Sequence, residues 1–467
     1  MSNSQLVNPE LLPPLDQDFR PAILFNNKFR EELKLSGDGE PIALALERTD
    51  GSLSRFETKV FPEDHTRTRE NYFYIERLVK FLLWQKGGWK LYIGGPRAVG
   101  NYLKECYAPN GERAFDYHFL GEDIYMREFT VIPCDLDEVP AEKENQRSIG
   151  RHLDGCRIGF DLGASDLKVS AVLDGEAIFS REIEWNPRQQ SDPTYHKEKI
   201  LSALNMALEE LPRLDAIGGS SAGVYIENRP MIASLFRGIP KDLYHEVRNM
   251  FLEIQAEMNV PLEIVNDGEV TALAGSMSLG DNGVLGIAMG SSEAAGYVNA
   301  EGNITNWLNE LSFAPIDYNP AAPVEEWSGD RGCGANYLSQ QSVFRLSAKA
   351  GITIPEGISK AQQLKYVQEM HESGHIGAKK IWQTIAYYTG YAIAHYADFY
   401  DLKHIIILGR CTSGLGGQVI LEGANEVLEK EFPTLAHKIQ IHLPDEMSRR
   451  VGQSIAAASL PKIDIKE

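Results

Sequence analysis

The sequence predicts a mixed α/β fold made of more than one structural unit. Apolar strand-like runs alternate with segments of helical periodicity along most of the chain, which indicates mostly parallel sheets covered by helices on both faces. The length of 467 residues exceeds the roughly 100–200 residues of an ordinary domain. These two observations favour an N-terminal α/β extension followed by a larger α/β core.

The composition excludes several classes of function. The formal net charge is −20, and no basic run offsets it, so we expect no nucleic-acid partner. No apolar stretch reaches the roughly 18 residues that would span a bilayer. The first residues also lack the basic and then apolar segments of an export signal. We therefore expect a cytoplasmic protein without a membrane partner.

The cysteines predict free thiols. They are odd in number, far apart in the chain and never arranged as a C-x-x-C pair, which argues against a disulfide framework and a cysteine-based zinc site. The five are Cys106, Cys134, Cys156, Cys333 and Cys411.

The N-terminal region is predicted as an extended arm over residues 1–20 and an α/β extension over 21–134. Asp50-Gly51 lies between two strand-like runs and predicts a hairpin. A helical pattern then ends at Gly87-Gly88, and a short strand, a Gly-Gly-Pro turn and a second helix follow. This order loosely resembles the start of the core. The similarity indicates either a degenerate repeat or, as we favour, the usual alternation of strands, helices and turns in α/β proteins. Residues 135–155 are charged, lack an apolar period and are predicted as a linker.

The core is predicted as a first lobe over residues 156–270 and a second lobe over 271–467. The first lobe opens with three strands, a helix with an apolar face, and a strand that runs into a Gly-Gly turn. The second lobe alternates strands and helices, and ends with a long helix, the strand HIIILG and a Gly-rich turn into another helix.

Two acidic motifs could carry chemistry. In DLGASDLK, Gly163 and Ser165 could bring N–H groups and a hydroxyl to a phosphate, while Asp161 could act on a metal or its water; a plain hairpin is the alternative. Asn266 and Asp267 follow the apolar strand PLEIV, at the strand end where α/β proteins bind ligands. Asp267 is therefore a candidate to take a proton from a substrate hydroxyl. The alternative is a helix N-cap.

Two glycine-rich turns follow apolar strands. Gly290, Ser291 and Ser292 end the strand GVLGIAM, and small residues there permit a close approach of phosphate or form a bare turn. Glycines after HIIIL would admit a nucleotide base and ribose; the candidates are Gly409, Gly416 and Gly417.

The order of these motifs resembles the actin/hexokinase superfamily, and within it the ROK family of bacterial sugar kinases and repressors. The resemblance covers residues 156–461 and implies a two-lobed, ribonuclease-H-like core that binds Mg²⁺, ATP and a sugar, and that assembles as a homodimer. It assigns Asp267 as general base and Asn266 and Glu310 as sugar ligands. The phosphate and Mg-ATP ligands would be Asp161, Gly163, Ser165, Lys168, Gly290 and Ser291, and the adenosine ligands would be Gly409, Gly416 and Gly417.

The chain departs from the family at the segment that usually contacts the sugar and a zinc ion. Phe313 stands where the family has histidine, and Cys333 is the one cysteine that remains in WSGDRGCGANYLS. A structural zinc needs about four nitrogen or sulfur ligands, so we predict no structural zinc. Glu293 stands in the second phosphate turn, where the family prefers small residues.

His371-Glu372-Ser373-Gly374-His375 matches the H-E-x-x-H pattern of metalloproteases. That motif works on a continuous helix, whereas Ser373-Gly374 disfavours one. We therefore predict a connection between helices.

Two functions remain open at this stage. The first is an ATP-dependent kinase for a hydroxyl of a hexose or related sugar. The second is a non-catalytic sugar- or nucleotide-sensing protein on the same fold, with the N-terminal region as an interaction module.

Overall fold

The computed structural model describes residues 6–144, 149–443 and 446–463. The chain divides into two units. Unit 1 comprises Met1–Asn145, Ile287–Ala294 and Trp307–Leu443, and unit 2 comprises Gln146–Gly286, Ala295–Asn306 and Pro444–Glu467. The predicted boundaries after residues 20, 134, 155 and 270 stay predictions, and residues 145–148 of the predicted linker lie outside the described residues.

The N-terminal part of unit 1 contains a four-stranded sheet of order β2-β1-β3-β4. The predicted hairpin at Asp50-Gly51 and the predicted helix before Gly87 are confirmed, and Gly51 and Gly87 both have positive φ. The elements are α1 (Ala22–Ser36), β1 (Glu40–Glu47), β2 (Leu53–Val60), α2 (Thr68–Lys86), β3 (Lys90–Gly94), α3 (Arg97–Cys106), α4 (Ala114–Asp116), a π-helical segment (Tyr117–Ile124) and β4 (Thr130–Cys134).

Unit 2 is built on a five-stranded sheet of order β11-β8-β5-β6-β7. Strands β5, β8 and β11 are parallel, and β6 and β7 are antiparallel additions at one edge. The elements are β5 (Cys156–Leu162), β6 (Asp166–Leu173), β7 (Glu176–Glu184), α5 (Pro193–Leu208), β8 (Ala216–Ser221), β9 (Val224–Ile226), β10 (Arg229–Ile232), α6 (Tyr244–Met258), β11 (Leu262–Asn266) and α7 (Asp267–Leu279).

The N-terminal sheet differs in topology from the sheet of unit 2. In unit 2, the strand after the first helix, β8, is parallel to β5. In the N-terminal sheet, the strand after α2, β3, is antiparallel to β1. This difference argues against a degenerate repeat. It favours the alternative that the similarity reflects the usual alternation of strands, helices and turns in α/β proteins.

A third sheet has the order β13-β12-β14-β15, and the boundary between the units passes through β12 and β13. β13 follows β12 directly, while helices separate β13 from β14 and β14 from β15; of these, α10 is buried over most of its length. The remaining elements are β12 (Val284–Met289), β13 (Glu293–Val298), α8 (Gln340–Ser347), α9 (Lys360–Glu372), α10 (Ile376–Tyr396), β14 (His404–Leu408), α11 (Gly416–Glu431), α12 (Pro433–Lys438), β15 (Gln440–His442) and α13 (Glu446–Ala458).

Glycines let α13 lie directly on the backbone of the sheet in unit 2. A Cβ added at Gly159 on β5 would lie 2.2 Å from the carbonyl oxygen of Ser454, and one at Gly218 on β8 would lie 1.7 Å from that of Ala457. Side chains at these two positions would push the helix away, because neither backbone can yield. The packing of α13 therefore depends on both glycines.

The arm before α1 packs on other parts of unit 1 between Glu10 and Arg20. Phe19 is 1% exposed and packs among Tyr337, Tyr388 and Tyr391 at centroid distances of 4.7–6.0 Å. Asp16 accepts hydrogen bonds from Arg345 and Tyr388. The arm, predicted as extended, thus contributes Phe19 to the core of unit 1.

All five cysteines are buried and free, which confirms the predicted thiols. Among the described residues, every helix is too short or too polar to cross a membrane.

Candidate functional site

In unit 2, the carboxyl ends of the parallel strands bring two predicted carboxylates to one edge of the sheet. Asp161 near the end of β5 pairs in register with Ser220 on β8, and the Ser220 hydroxyl donates a 2.7 Å hydrogen bond to Asp161 Oδ1. Asp267 follows β11, which pairs with β8 on its other side. Ser220 was missed in the sequence, although its place at the end of a buried strand could have indicated it.

Both carboxylates have pKa values raised above the ordinary value of aspartate. Burial, followed by the charge of Asp161, raises the pKa of Asp267 to about 6. Burial also raises the pKa of Asp161, against the lowering effects of the Ser220 hydrogen bond and the Lys168 charge. A base with a pKa near the working pH is suited to proton transfer, so the environment of Asp267 fits its predicted role, which stays a prediction.

Asn266 caps α7. Its Oδ1 accepts a hydrogen bond from the Gly268 N–H at 2.8 Å, and its Nδ2 donates to the Gly223 carbonyl at 2.7 Å. The N-cap alternative therefore applies to Asn266, while its role as a sugar ligand stays a prediction. Gly268 is needed for packing, because a Cβ there would lie 2.5 Å from the Ala295 carbonyl oxygen.

The turn between β5 and β6 is held by Trp185. The indole N–H donates to the Gly163 carbonyl at 2.9 Å, and the Trp185 backbone N–H donates to the Ser165 carbonyl at 3.2 Å. Ser165 itself is exposed. Lys168 pairs in register with Asp161 across the hairpin, so a cation and a carboxylate occupy facing strand positions. The phosphate role of Gly163, Ser165 and Lys168 is untested and stays a prediction.

In unit 1, two predicted ligand turns meet at Gly409. This residue has a φ of 101°, and a Cβ there would lie 2.6 Å from the carbonyl oxygen of Met289. Gly409 therefore lies directly against the strand end that leads into Gly290 and Ser291. Ser291 is exposed, and its carbonyl accepts a hydrogen bond from Gln341 Nε2 at 3.2 Å.

Gly416 and Gly417 begin α11 and are buried. A Cβ at Gly416 would lie 2.2 Å from Trp382 Nε1, which donates to the Cys411 carbonyl, and one at Gly417 would lie 2.6 Å from the Thr412 carbonyl oxygen. Close packing already explains both glycines, and their adenosine role stays a prediction.

Glu293 is turned into the interior of unit 1. It is 3% exposed, its Oε1 accepts a hydrogen bond from Tyr396 Oη at 3.0 Å, and its Oε2 has no partner. Burial, opposed by the Tyr396 hydrogen bond and assisted by the Glu310 charge, raises its pKa to about 8. Glu293 is therefore mostly uncharged at neutral pH and adds little negative charge to the predicted phosphate turn.

The segment that carries Glu310 is fixed by its backbone. The Asn309 and Glu310 N–H groups donate to the carbonyls of Gln85 and Trp84, each at 2.9 Å. Tyr400 Oη donates to Asn309 Oδ1 at 2.7 Å. Glu310 is partly exposed, and its role as a sugar ligand stays a prediction.

The H-E-x-x-H match is a connection between helices, as predicted. Helix α9 ends at Glu372, Gly374 has a φ of 85°, and α10 begins at Ile376. The His371 ring stacks on Trp382 at 4.8 Å, and His375 Nδ1 accepts a hydrogen bond from the Ala378 N–H. The two imidazoles therefore serve packing and capping.

The carboxylates of unit 2 fit the Mg²⁺ and ATP that the fold implies. Mg²⁺ is usually bound through one or two carboxylates together with substrate phosphates, and Asp161 and Asp267 are two carboxylates at the carboxyl ends of the parallel strands β5 and β11, on either side of β8. Within the described residues, no cluster of three or more His, Cys, Asp or Glu side chains could hold a metal ion.

The chain has the fold of known sugar kinases. No family model matches it. A glucokinase of Halalkalibacterium halodurans is 25% identical over 284 residues, which cover 54% of this chain and 79% of that protein. The ROK hexokinase from Thermus thermophilus is 15% identical and aligns with a TM-score of 0.51 over 65% of this chain and 98% of that chain. A ROK family transcriptional regulator, a homolog of the E. coli MLC protein, is 17% identical, with a TM-score of 0.49 over 66% of this chain and 78% of that chain. The predicted resemblance to ROK proteins and the actin/hexokinase-like fold are confirmed.

Proposed function

From this fold, we propose that the chain transfers a phosphoryl group from ATP to a hydroxyl of a hexose or a related sugar. The observation that carries the proposal is the pair Asp161 and Asp267 at the carboxyl ends of parallel strands, with the pKa of Asp267 raised to about 6. The likeness to a glucokinase supports a hexose as the acceptor.

In this proposal Asp267 takes the proton from the attacking hydroxyl, because it lies directly after a parallel strand, beside Asp161, and has a pKa raised to about 6. Asp161 keeps the local charge negative and would hold Mg²⁺ directly or through water, and Ser220 orients its carboxylate. When bound, ATP would supply the phosphoryl group and Mg²⁺ would neutralise the charge of its phosphates. Glu310 and Asn266 bind sugar hydroxyls, and the turns at Gly163 and Gly290 position phosphates, so catalysis rests on positioning and charge.

The test is Asp267→Asn. We expect sugar-dependent ADP release to fall by about 10²–10⁴-fold, the usual contribution of a general base, with the affinity for ATP retained. Asp192→Asn is the matched control: Asp192 caps α5 in the same unit, and Asn caps a helix equally well. Unchanged turnover in Asp267→Asn would show that Asp267 is not the base.

A panel of sugars separates this function from a sensor. Stimulation of ADP release by one or more hexoses supports the kinase. Binding of sugar or nucleotide without ADP release in the presence of any sugar would instead support a non-catalytic protein. Phe313, which stands where the family has a histidine in the sugar segment, favours this second function.

A further inference from the structure

We propose that the N-terminal region holds the segment 309–334 in the conformation that presents Glu310, so that Trp84, Arg77 and Arg113 are positioning residues for the sugar. The inference rests on the proposed function in one respect, the role of Glu310 as a sugar ligand. Three sets of contacts, all within unit 1, carry it.

The first set joins backbone to backbone. Helix α2 ends at Lys86, and the last carbonyls of a helix have no partner inside it. Two of these, from Trp84 and Gln85, accept the N–H groups of Glu310 and Asn309. Since Gln85 is fully buried and its Nε2 donates to the Phe399 carbonyl, this end of α2 is itself fixed. The position of Glu310 is thus set by the end of an N-terminal helix.

The second set is aromatic. The Phe313 ring lies 4.3 Å from the Trp84 ring, 5.6 Å from Phe115 and 6.0 Å from Phe119. Trp84 is fully buried and its indole N–H donates to Asp116 at 2.7 Å, so the surface that receives Phe313 is rigid. All partners of this ring cluster come from residues 84–119.

The third set is a buried cluster of six charges. Asp330 accepts from Arg77 at 3.0 Å and from Arg113 at 2.8 Å, and both arginines also bind Glu76. Lys80 binds Asp116 at 2.6 Å and lies 3.7 Å from Asp330. Three acidic and three basic groups balance, and each is at most 10% exposed at its side chain. Removal of one member leaves a buried charge uncompensated, so the cluster specifies one position for Asp330.

The two anchored ends are joined to each other. The Gly334 N–H donates to the Ala314 carbonyl at 3.0 Å, and the Ile316 N–H donates to the Gly332 carbonyl at 2.8 Å. Phe313 and Asp330 therefore fix the two sides of one paired structure, and Glu310 lies directly before it.

The test uses Arg113→Met and the milder Phe313→Leu in the full chain. Hydrogen exchange is measured on peptides that cover 307–334, and the KM values for glucose and ATP are measured separately. We expect both variants to exchange faster in these peptides, and the KM for glucose to rise about tenfold in Arg113→Met, which corresponds to about 1.4 kcal/mol, with the KM for ATP unchanged. Arg97→Met, which breaks an exposed ion pair with Asp135 in the same region, is the control and should change neither.

Unchanged exchange over 307–334 in both variants would overturn the proposal, and so would an equal rise in the KM for ATP. If Arg113→Met does not fold, Phe313→Leu decides alone. If the wild-type protein shows no kinase activity, the proposed function fails, while faster exchange over 307–334 and weaker protection of these peptides by glucose would still support the positioning role.

Discussion

Asp267 and Glu293 both have raised pKa values, but their surroundings give them different consequences. Asp267 is partly exposed and lies near a second carboxylate, Asp161, so a substrate or cation can reach it. Glu293 is buried against Tyr396, with one oxygen unpartnered. Asp267 is therefore suited to proton transfer, whereas the ionisation of Glu293 makes the stability of the folded protein depend on pH.

We expect kcat/KM for the sugar to fall as the pH drops through about 6. The rate requires the ionised form of Asp267, and the raised pKa means that this form is lost about two pH units above an ordinary aspartate, whose pKa is about 3.9. The pH profile of kcat/KM checks this. In Asp161→Asn, the acid limb of the residual activity should lie at a lower pH than in the wild type. The substitution removes the negative charge that raises the pKa of Asp267. An acid limb near pH 4 in the wild type would contradict the assignment.

We expect Glu293→Gln to stabilise the protein increasingly as the pH rises. The folded pKa of about 8 exceeds the unfolded value of 4.5, so the folded state holds a proton that the unfolded state releases. The free energy of unfolding of the wild type therefore decreases as the pH rises from 4.5 to about 8, by at most about 1.4 kcal/mol per pH unit. The loss is complete above pH 8. Gln mimics the protonated form and removes this loss. Urea unfolding at pH 5, 7 and 8.5 measures the difference; an equal effect at all three would contradict the prediction.

The arm before α1 packs against helices α8 and α10 and is hydrogen-bonded to both. The Leu15 N–H donates to Thr384 of α10, and the Arg20 N–H donates to Asp317. Asp317 is buried, also accepts from Tyr337, and has a pKa raised to about 7, mainly by burial. The arm thus supplies additional hydrogen bonds to polar groups of the segments on which it packs.

Phe19→Ala should destabilise unit 1 by about 3–5 kcal/mol, the usual cost of removing a buried phenylalanine ring. Phe19 is packed among three tyrosines, and these rings cannot close the cavity without leaving their hydrogen bonds. Urea unfolding followed by tyrosine and tryptophan fluorescence measures the change. Leu12→Ala, at a side chain that is 43% exposed, is the control and should cost less than about 0.5 kcal/mol.

At the scale of the whole molecule, the proposed roles are divided between the two units. Unit 2 holds the carboxylates Asp161 and Asp267, and unit 1 holds the glycine turns and Glu310. The N-terminal region shares unit 1 with that second group, and in our proposal its contacts with Phe313 and Asp330 take over the anchoring that zinc gives to the corresponding segment in the family that the sequence resembles.

Several elements could be predicted from local pattern alone. Glycine determines three of these features, because few other residues adopt a positive φ: the hairpin at Gly51, the end of α2 at Gly87 and the break at Gly374. Helix α1 was missed, although Phe25, Phe29 and Leu33 recur at intervals of four residues. The π-helical turn after α4 has no such signal, because its geometry depends on tertiary contacts.

Local features such as strand ends, glycines and carboxylates were enough to predict the α/β core, the order of its candidate ligand motifs and the likeness to ROK proteins. The contacts of the N-terminal region within unit 1 could be found in the tertiary structure alone. The partners of Phe313, Asp330 and Glu293 lie about 100 to 250 residues away along the chain, and no local pattern specifies which buried charge or ring meets which. Burial and complementary charge select these partners once the chain has folded.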